Sequence, residues 1–354
     1  MFMEEANRKF LFELLHTASP SSYEMDIQKK WINYVKEFAT EIRTDHAGNA
    51  IGVLNPNAPF KVLLAGHCDE IALVINRIDD DGFLHFDKMG GINPKAAVGM
   101  KVEVLGYNGT VTGVIGVNAQ HHGGLKDKFS LADLFIDCGY PSKDEAMKYI
   151  QIGDLAVYKT TPEILYDRYV SGRGLDNRTG AFIVAETLKR LAKTDCQVGV
   201  YAASTVNEET NMGGAYFAAS GVDPTVAVAC DVTFATDYPG VDTNKHGDIK
   251  LEGGPVLAKG APINRKMNAL LEKAAIKQKI GVQYELTPAM TGTDADKMRL
   301  TGKGVPVSLV SLPLRYMHSP VETASLKDID EVIELLVSTI LNLTGKESMN
   351  PLED

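Results

Sequence analysis

The chain has 354 residues, 44% apolar and 23% charged, the balance of an ordinary globular protein with room for one large domain or a large and a small one. A formal net charge of −10 and the absence of any Lys/Arg block argue against a polyanionic partner, so no nucleic-acid role is expected. No apolar run is long enough to cross a bilayer, the acidic N-terminal stretch has no cleavage-site pattern, and the four cysteines form no CxxC pair, which together predict a reduced, cytoplasmic protein with no membrane partner.

In chain order, a helix is predicted over residues 4–17, and a second follows Ser21-Ser22-Tyr23-Glu24, which has capping-box spacing, to about residue 38. Strands follow at 50–54 and 61–65, the latter apolar enough to be buried on both faces of a central sheet. From 71 to 159 short alternating segments are separated by turns such as Asp79-Asp80-Asp81-Gly82, Gly90-Gly91 and Tyr107-Asn108-Gly109, with one helix from Ser142 to about 149; this is the rhythm of a small β-rich module. Beyond residue 161, helices predicted at 177–192, 211–219, 264–279, 294–299 and 326–343 alternate with apolar strands. The expected fold is α/β: a mixed, mostly parallel sheet flanked by helices, built from residues 1–70 and 161–354, with a small β-barrel-like domain inserted at 71–160.

Acidic and imidazole groups stand at the ends of these runs. His67 and Asp69 are two apart after the 61–65 strand, so they share a face of an extended chain; a carboxylate there can fix which ring nitrogen is free for a metal, and a surface His beside an Asp fits as well. Asp176, in the glycine-flanked Gly172–Gly180 segment, is either an N-cap or a carboxylate bridging two cations. Glu208 and Glu209 follow the 198–203 strand, where burial would be costly unless a metal and a proton-transfer role employ them; the alternative is a solvated turn. Asp231 ends the 226–230 run and His318 follows the 305–312 strand, and either alone is also compatible with a loop residue. The decisive feature is the arrangement: His67, Glu208/Glu209, Asp231 and His318 each follow a separate strand, so these should meet at the carboxyl edge of one sheet, where α/β folds bind ligands, with Asp176 in its glycine-flanked loop within reach of the same edge. Two His and three carboxylates without cysteine suit Zn²⁺, Co²⁺ or Mn²⁺, and the set is rich enough for two ions sharing one carboxylate roughly 3.5–4 Å apart.

The segments AGHCDE (65–70), GRGLDNRTG (172–180), NEE (207–209), DVTFATDYPG (231–240), GTDAD (292–296) and RYMHSPVE (315–322), in this order over nearly the whole chain, resemble the glutamyl and deblocking aminopeptidases of metallopeptidase family forty-two, which include the tetrahedral aminopeptidases. The resemblance implies a zinc-peptidase-like catalytic domain and two divalent ions per subunit, zinc or cobalt first and manganese as an option. It assigns Asp176, Glu209 and His318 to one ion and His67, Asp176 and Asp231 to the other, with Asp176 bridging, Glu208 as general base, Asp69 orienting His67 and a metal-bridging hydroxide as nucleophile. It further implies peptide substrates with a free N-terminus and a homo-oligomer, dimer or dodecamer, in which the inserted domain takes part. Asn211-Met212-Gly213-Gly214-Ala215 departs from the family's usual bulky residue and Arg after the paired Glu. Asp294 and Asp296 either line the pocket for the substrate's first side chain or cap the helix that follows. His121 or His122, in the 113–124 segment, is a candidate to approach the site from the insert. A two-metal carboxypeptidase or N-acyl amino acid deacylase, and a non-catalytic assembly protein, are the competing readings.

Overall fold

The nearly continuous apolar runs are strands covered on both faces. In the computed structural model, which describes residues 3–353, four of them lie side by side and parallel: Gly199–Thr205, Lys61–His67, Val226–Phe234 and Val307–Arg315. Alternate residues of one strand serve two separate cores. Val62 and Leu64 pack with Leu11, Trp31, Phe182 and Val332 on one side, whereas Leu63 and Ala65 pack with Ala215, Ala218 and Met298 on the other. This is the physical reason for the absence of polar alternation in these segments.

Antiparallel strands extend the sheet on both sides, Glu41–Thr44 and Ala50–Leu54 at one end and Glu322–Ser325, Tyr169–Gly172 and Glu163–Leu165 at the other. Val256–Gly260 pairs with Val307–Arg315, and Gln283–Thr287 pairs in turn with Val256–Gly260. The result is a mixed sheet of 11 strands flanked by helices, accompanied by a closed barrel. The barrel consists of Ala72–Ile78, Leu84–Met89, Ile136–Asp137, Gly109–Ile115, Lys101–Gly106 and Leu155–Tyr158, and it has its own apolar core around Ile75, Phe86, Val104 and Ile136. No helix among the described residues is long and apolar enough to cross a membrane.

One close approach positions the site. A Cβ on Gly66 would stand 2.4 Å from the carbonyl carbon of Gly180, so the helix Leu175–Leu191 rests directly on the end of the Lys61–His67 strand. That contact brings Asp176, at the helix entry, beside His67.

Several local expectations are corrected. The Ser21/Glu24 pair does not cap the helix Met25–Val35: no side-chain cap bond forms there, because both side chains are taken by the sheet edge. The helix expected at 211–219 is broken at Met212 (φ 59°) into Glu208–Asn211 and Gly213–Val222. The Gly214 amide donates instead to the Val206 carbonyl at 3.1 Å, and a Cβ at Gly214 would lie 2.3 Å from that oxygen. The helix begun by Ser142 is the single turn Lys143–Ala146, and a second short helix, Pro94–Ala97, was missed. Asp231 lies inside its strand, not at its end, since pairing with Val307–Arg315 continues to Phe234.

Candidate active site

The parallel strands deliver their side chains to one edge. His67, the last residue of its strand, holds Nε2 3.3 Å from Asp176 Oδ1, 3.6 Å from Glu208 Oε2 and 3.8 Å from Asp231 Oδ1. His318 holds Nε2 3.2 Å from Asp176 Oδ2 and 3.5 Å from Glu209 Oε2. Asp176 therefore turns one oxygen to each imidazole. A cavity of about 410 Å³ opens over these groups.

Asp69 organises the centre from below. Its Oδ1 lies 3.3 Å and its carbonyl 3.2 Å from His67 Nδ1, so two oxygens surround that nitrogen and leave Nε2 turned toward the carboxylates. The same carboxylate accepts the backbone amides of Glu208 at 3.0 Å and Glu209 at 3.2 Å, and the Ser21 hydroxyl at 2.6 Å. Glu24 accepts the Asn207 amide at 3.1 Å, holding the turn that leads into the Glu pair. On the other side, Glu322 accepts the His318 amide at 2.7 Å and the Asp176 amide at 3.2 Å. Asn207, Met212 and His318 all adopt left-handed backbone conformations, at φ 58°, 59° and 61°. Such conformations cost energy for residues with a side chain and persist where surrounding contacts impose them.

The electrostatics are those of several carboxylates crowded together out of water. Burial, together with Asp231, Asp294 and Asp176, pushes Glu208 up to about 10 against the opposing pull of His67. Glu209 and Asp231 are likewise raised well above the carboxylate range, first by burial and then by Asp176. Asp176 is lowered instead: burial works against this, but hydrogen bonds to His318 and His67 outweigh it. Among the described residues, the ion-pair partners of these four carboxylates are the two imidazoles only. Glu209 Oε1 is buried without any hydrogen-bond partner. An orphaned carboxylate oxygen beside facing imidazoles is the donor set a divalent cation satisfies. Two groups, His67/Glu208/Asp231 and His67/Asp176/Glu209, each bring one ligand atom per residue within 4.8 Å of the others.

A family model for the M42 glutamyl aminopeptidases matches residues 48–335. The chain belongs to that family. It is a peptide hydrolase. The lysyl aminopeptidase of Pyrococcus furiosus is 32% identical over 331 residues, covering 91% of this chain and 93% of that protein. Among solved structures, a TET aminopeptidase from a marine-sediment thaumarchaeon superposes with a TM-score of 0.90 at 28% identity, covering 96% of this chain and 97% of the other. TET1 peptidase of Pyrococcus horikoshii, which can assemble into a tetrahedron or a large octahedral shell, superposes with a TM-score of 0.84 at 32% identity, covering 95% and 100%.

Other residues singled out in this family member lie outside the cluster. Asp294 is buried, accepts the Thr205 hydroxyl and leaves Oδ1 without a partner. It makes no side-chain cap bond to its helix. Asp296 accepts the amides of Thr291 and Gly292, at 3.0 and 2.8 Å through Oδ2, and so pins the segment that forms one cavity wall. His121 and His122 are exposed in the turn Gln120–His122, and neither lines the cavity. The barrel reaches the site by another route: a Cβ on Gly91 would meet His318 Nδ1 at 2.6 Å, and one on Gly90 would meet Glu209 Oε2 at 3.2 Å.

Sequence reasoning also missed the supports. Glu322 sits four residues after His318 in a segment already noted, a spacing that offered a signal. Ser21 and Glu24 carried a signal for something else, the helix cap. Glu285, in the cavity wall, carried none.

Proposed function

We propose that this chain is a two-metal aminopeptidase that removes the N-terminal residue of peptides bearing a free amino group. The observation that carries this reading is Asp176, whose two oxygens face two different imidazoles with a further carboxylate beside each. In this reading His67, Asp176 and Asp231 hold one ion, and Asp176, Glu209 and His318 hold the other; zinc or cobalt suits the set, and manganese is compatible. Such ions, when bound, acidify water and polarise a carbonyl as Lewis acids.

The chain's own groups supply the rest. Glu208 is near enough to His67 and Asp231 to serve as a ligand; in this reading it stands outside both ligand sets and instead accepts the proton of the attacking water and passes it to the leaving amine. Asp69 fixes the ring orientation of His67 and, through two amides, the position of Glu208 and Glu209. In this reading the free amino group of the peptide binds beside the ions, which limits cleavage to the terminal residue. Assembly into a homo-oligomer, dimer or dodecamer, with the 71–160 barrel taking part, and a cytoplasmic location complete the proposal; four unpaired cysteines are consistent with the latter.

The test is release from a panel of aminoacyl-anilides, before and after chelation, with Zn²⁺, Co²⁺ or Mn²⁺ restored. Metal-dependent cleavage of unblocked substrates is expected. Cleavage confined to N-acylated substrates would turn the assignment to a deacylase.

A further inference from the structure

One cavity-wall group has no part in the chemistry above. Glu285, on the strand Gln283–Thr287, points its carboxylate into the same cavity. Its Oε1 accepts the Ser311 hydroxyl at 2.7 Å and its Oε2 the Thr233 hydroxyl at 2.6 Å. Among the described residues, no Lys, Arg or His forms an ion pair with it. Burial raises its carboxyl and the two hydroxyls hold it down, with no charged neighbour contributing.

Both anchors belong to the strands that build the metal-ligand edge. Ser311 is the register partner of Asp231, and Thr233 lies two residues beyond Asp231 on the same face. Two residues of strand span about 7 Å. Glu285 is thus held beside the strand that carries Asp231, in the wall of the cavity over the ligand cluster. Phe234, which is exposed, also lines the cavity and offers apolar surface along which a cationic side chain lays its methylene stem. A partly buried carboxylate that lacks a cation of its own, in the wall of the cavity that holds the reacting centre, is completed by a cation on the substrate.

We infer that Glu285 selects substrates whose N-terminal residue is basic, its carboxylate receiving the lysine ammonium or arginine guanidinium at the far end of the cavity. This rests on the aminopeptidase reading and adds the substrate class to it.

The experiment compares kcat/KM of the metal-loaded enzyme for lysyl-, arginyl-, leucyl-, norleucyl- and glutamyl-anilides, in the wild type and in Glu285→Gln. Norleucine carries the stem of lysine without its charge. The wild type is expected to prefer lysine or arginine over norleucine by at least about tenfold, the range of a charge-assisted hydrogen bond. Glu285→Gln should bring that ratio close to one while leucine and norleucine rates stay within about threefold of wild type. Ser311→Ala, which keeps the carboxylate but removes one anchor, should shift the ratio less and in the same direction. A wild type that favours norleucine, leucine or glutamate over lysine and arginine overturns the inference and leaves the aminopeptidase standing. An equal fall for every substrate in Glu285→Gln also overturns it, because the residue would then serve the shared α-amine or the fold. Should Glu285→Gln not fold, the wild-type lysine-to-norleucine ratio decides. If no free-amine substrate is cut by the metal-loaded wild type, the aminopeptidase reading itself fails and the inference with it.

Discussion

Two neighbouring acids, Asp69 and Glu70, lead into two buried clusters built on opposite terms. Glu70 is fully compensated. It forms ion pairs with Arg173 and with Arg178 Nη2, the latter at 2.6 Å, and it accepts the Ser19 amide at 3.0 Å. Arg178 in turn donates to the carbonyls of Leu14, Leu15 and Thr17, closing the end of the first helix. Despite its burial the Glu70 carboxyl is held below its usual range by the two guanidiniums. Across the His67 ring, Glu208, Glu209 and Asp231 are also largely removed from solvent, with imidazoles as their only ion-pair partners among the described residues, and all three are raised. A buried acid with arginines around it holds the fold together. Buried acids without a cation of their own leave room for one that arrives from outside.

The contrast breaks most sharply at the two glutamates. Glu208→Gln is expected to lower turnover by roughly 10²–10⁴-fold while the metal content stays at two per chain, as measured by anilide hydrolysis beside elemental analysis. In the chelated protein the same substitution should leave the melting temperature close to that of the wild type near neutral pH, because burial already keeps the Glu208 carboxyl protonated there. Retained turnover would strip Glu208 of the base role.

Glu70→Gln should act in the opposite sense. Leaving two guanidiniums buried beside a neutral amide is expected to cost about 3–5 kcal/mol in denaturant unfolding. Because the Glu70 carboxyl is lowered in the fold, its stabilisation is present above the ordinary carboxylate range and lost as pH falls below it. Glu322→Gln tests the support under the site, since one amide oxygen cannot replace a carboxylate that receives two backbone amides. A loss of about 10–100-fold in metal affinity is expected by competition with a chelator, with little change in fold.

Asp328 lies between the two extremes. It has no arginine, but it accepts the amides of Glu252 at 2.6 Å and Gly254 at 3.0 Å, and burial raises its carboxyl from 3.8 to about 6. The folded state therefore favours the protonated form, so stability should fall as pH rises from about 4 to about 6 and then level off. Asp328→Asn should flatten that part of the profile, by about 1–3 kcal/mol between its ends, in pH-dependent unfolding.

The α/β class was legible because burial on two faces imposes a period-free apolar run, and such runs stand out at 61–65, 198–203 and 226–230. The gathering of His67, Glu208, Glu209 and His318 followed from strand ends in a parallel sheet having to share one edge; Asp231 joins them from within its strand. Sequence could not say where supporting groups come from. Ser21 and Glu24 have the spacing of a helix cap, and only the approach of the Cys68–Glu70 and Asn207–Glu209 turns gives them other partners. The break at Met212 was invisible because it depends on Gly214 lying against the Val206 carbonyl, a contact made by the fold and not by local propensity. Glu285 was equally hidden, on an alternating strand that reads as solvent-facing. The chain's own pattern thus determined which elements form and which acids meet; tertiary packing decided which acids receive a cation from the protein. That choice depends on distances between segments far apart in sequence, such as the ~100 residues separating Glu70 from Arg173.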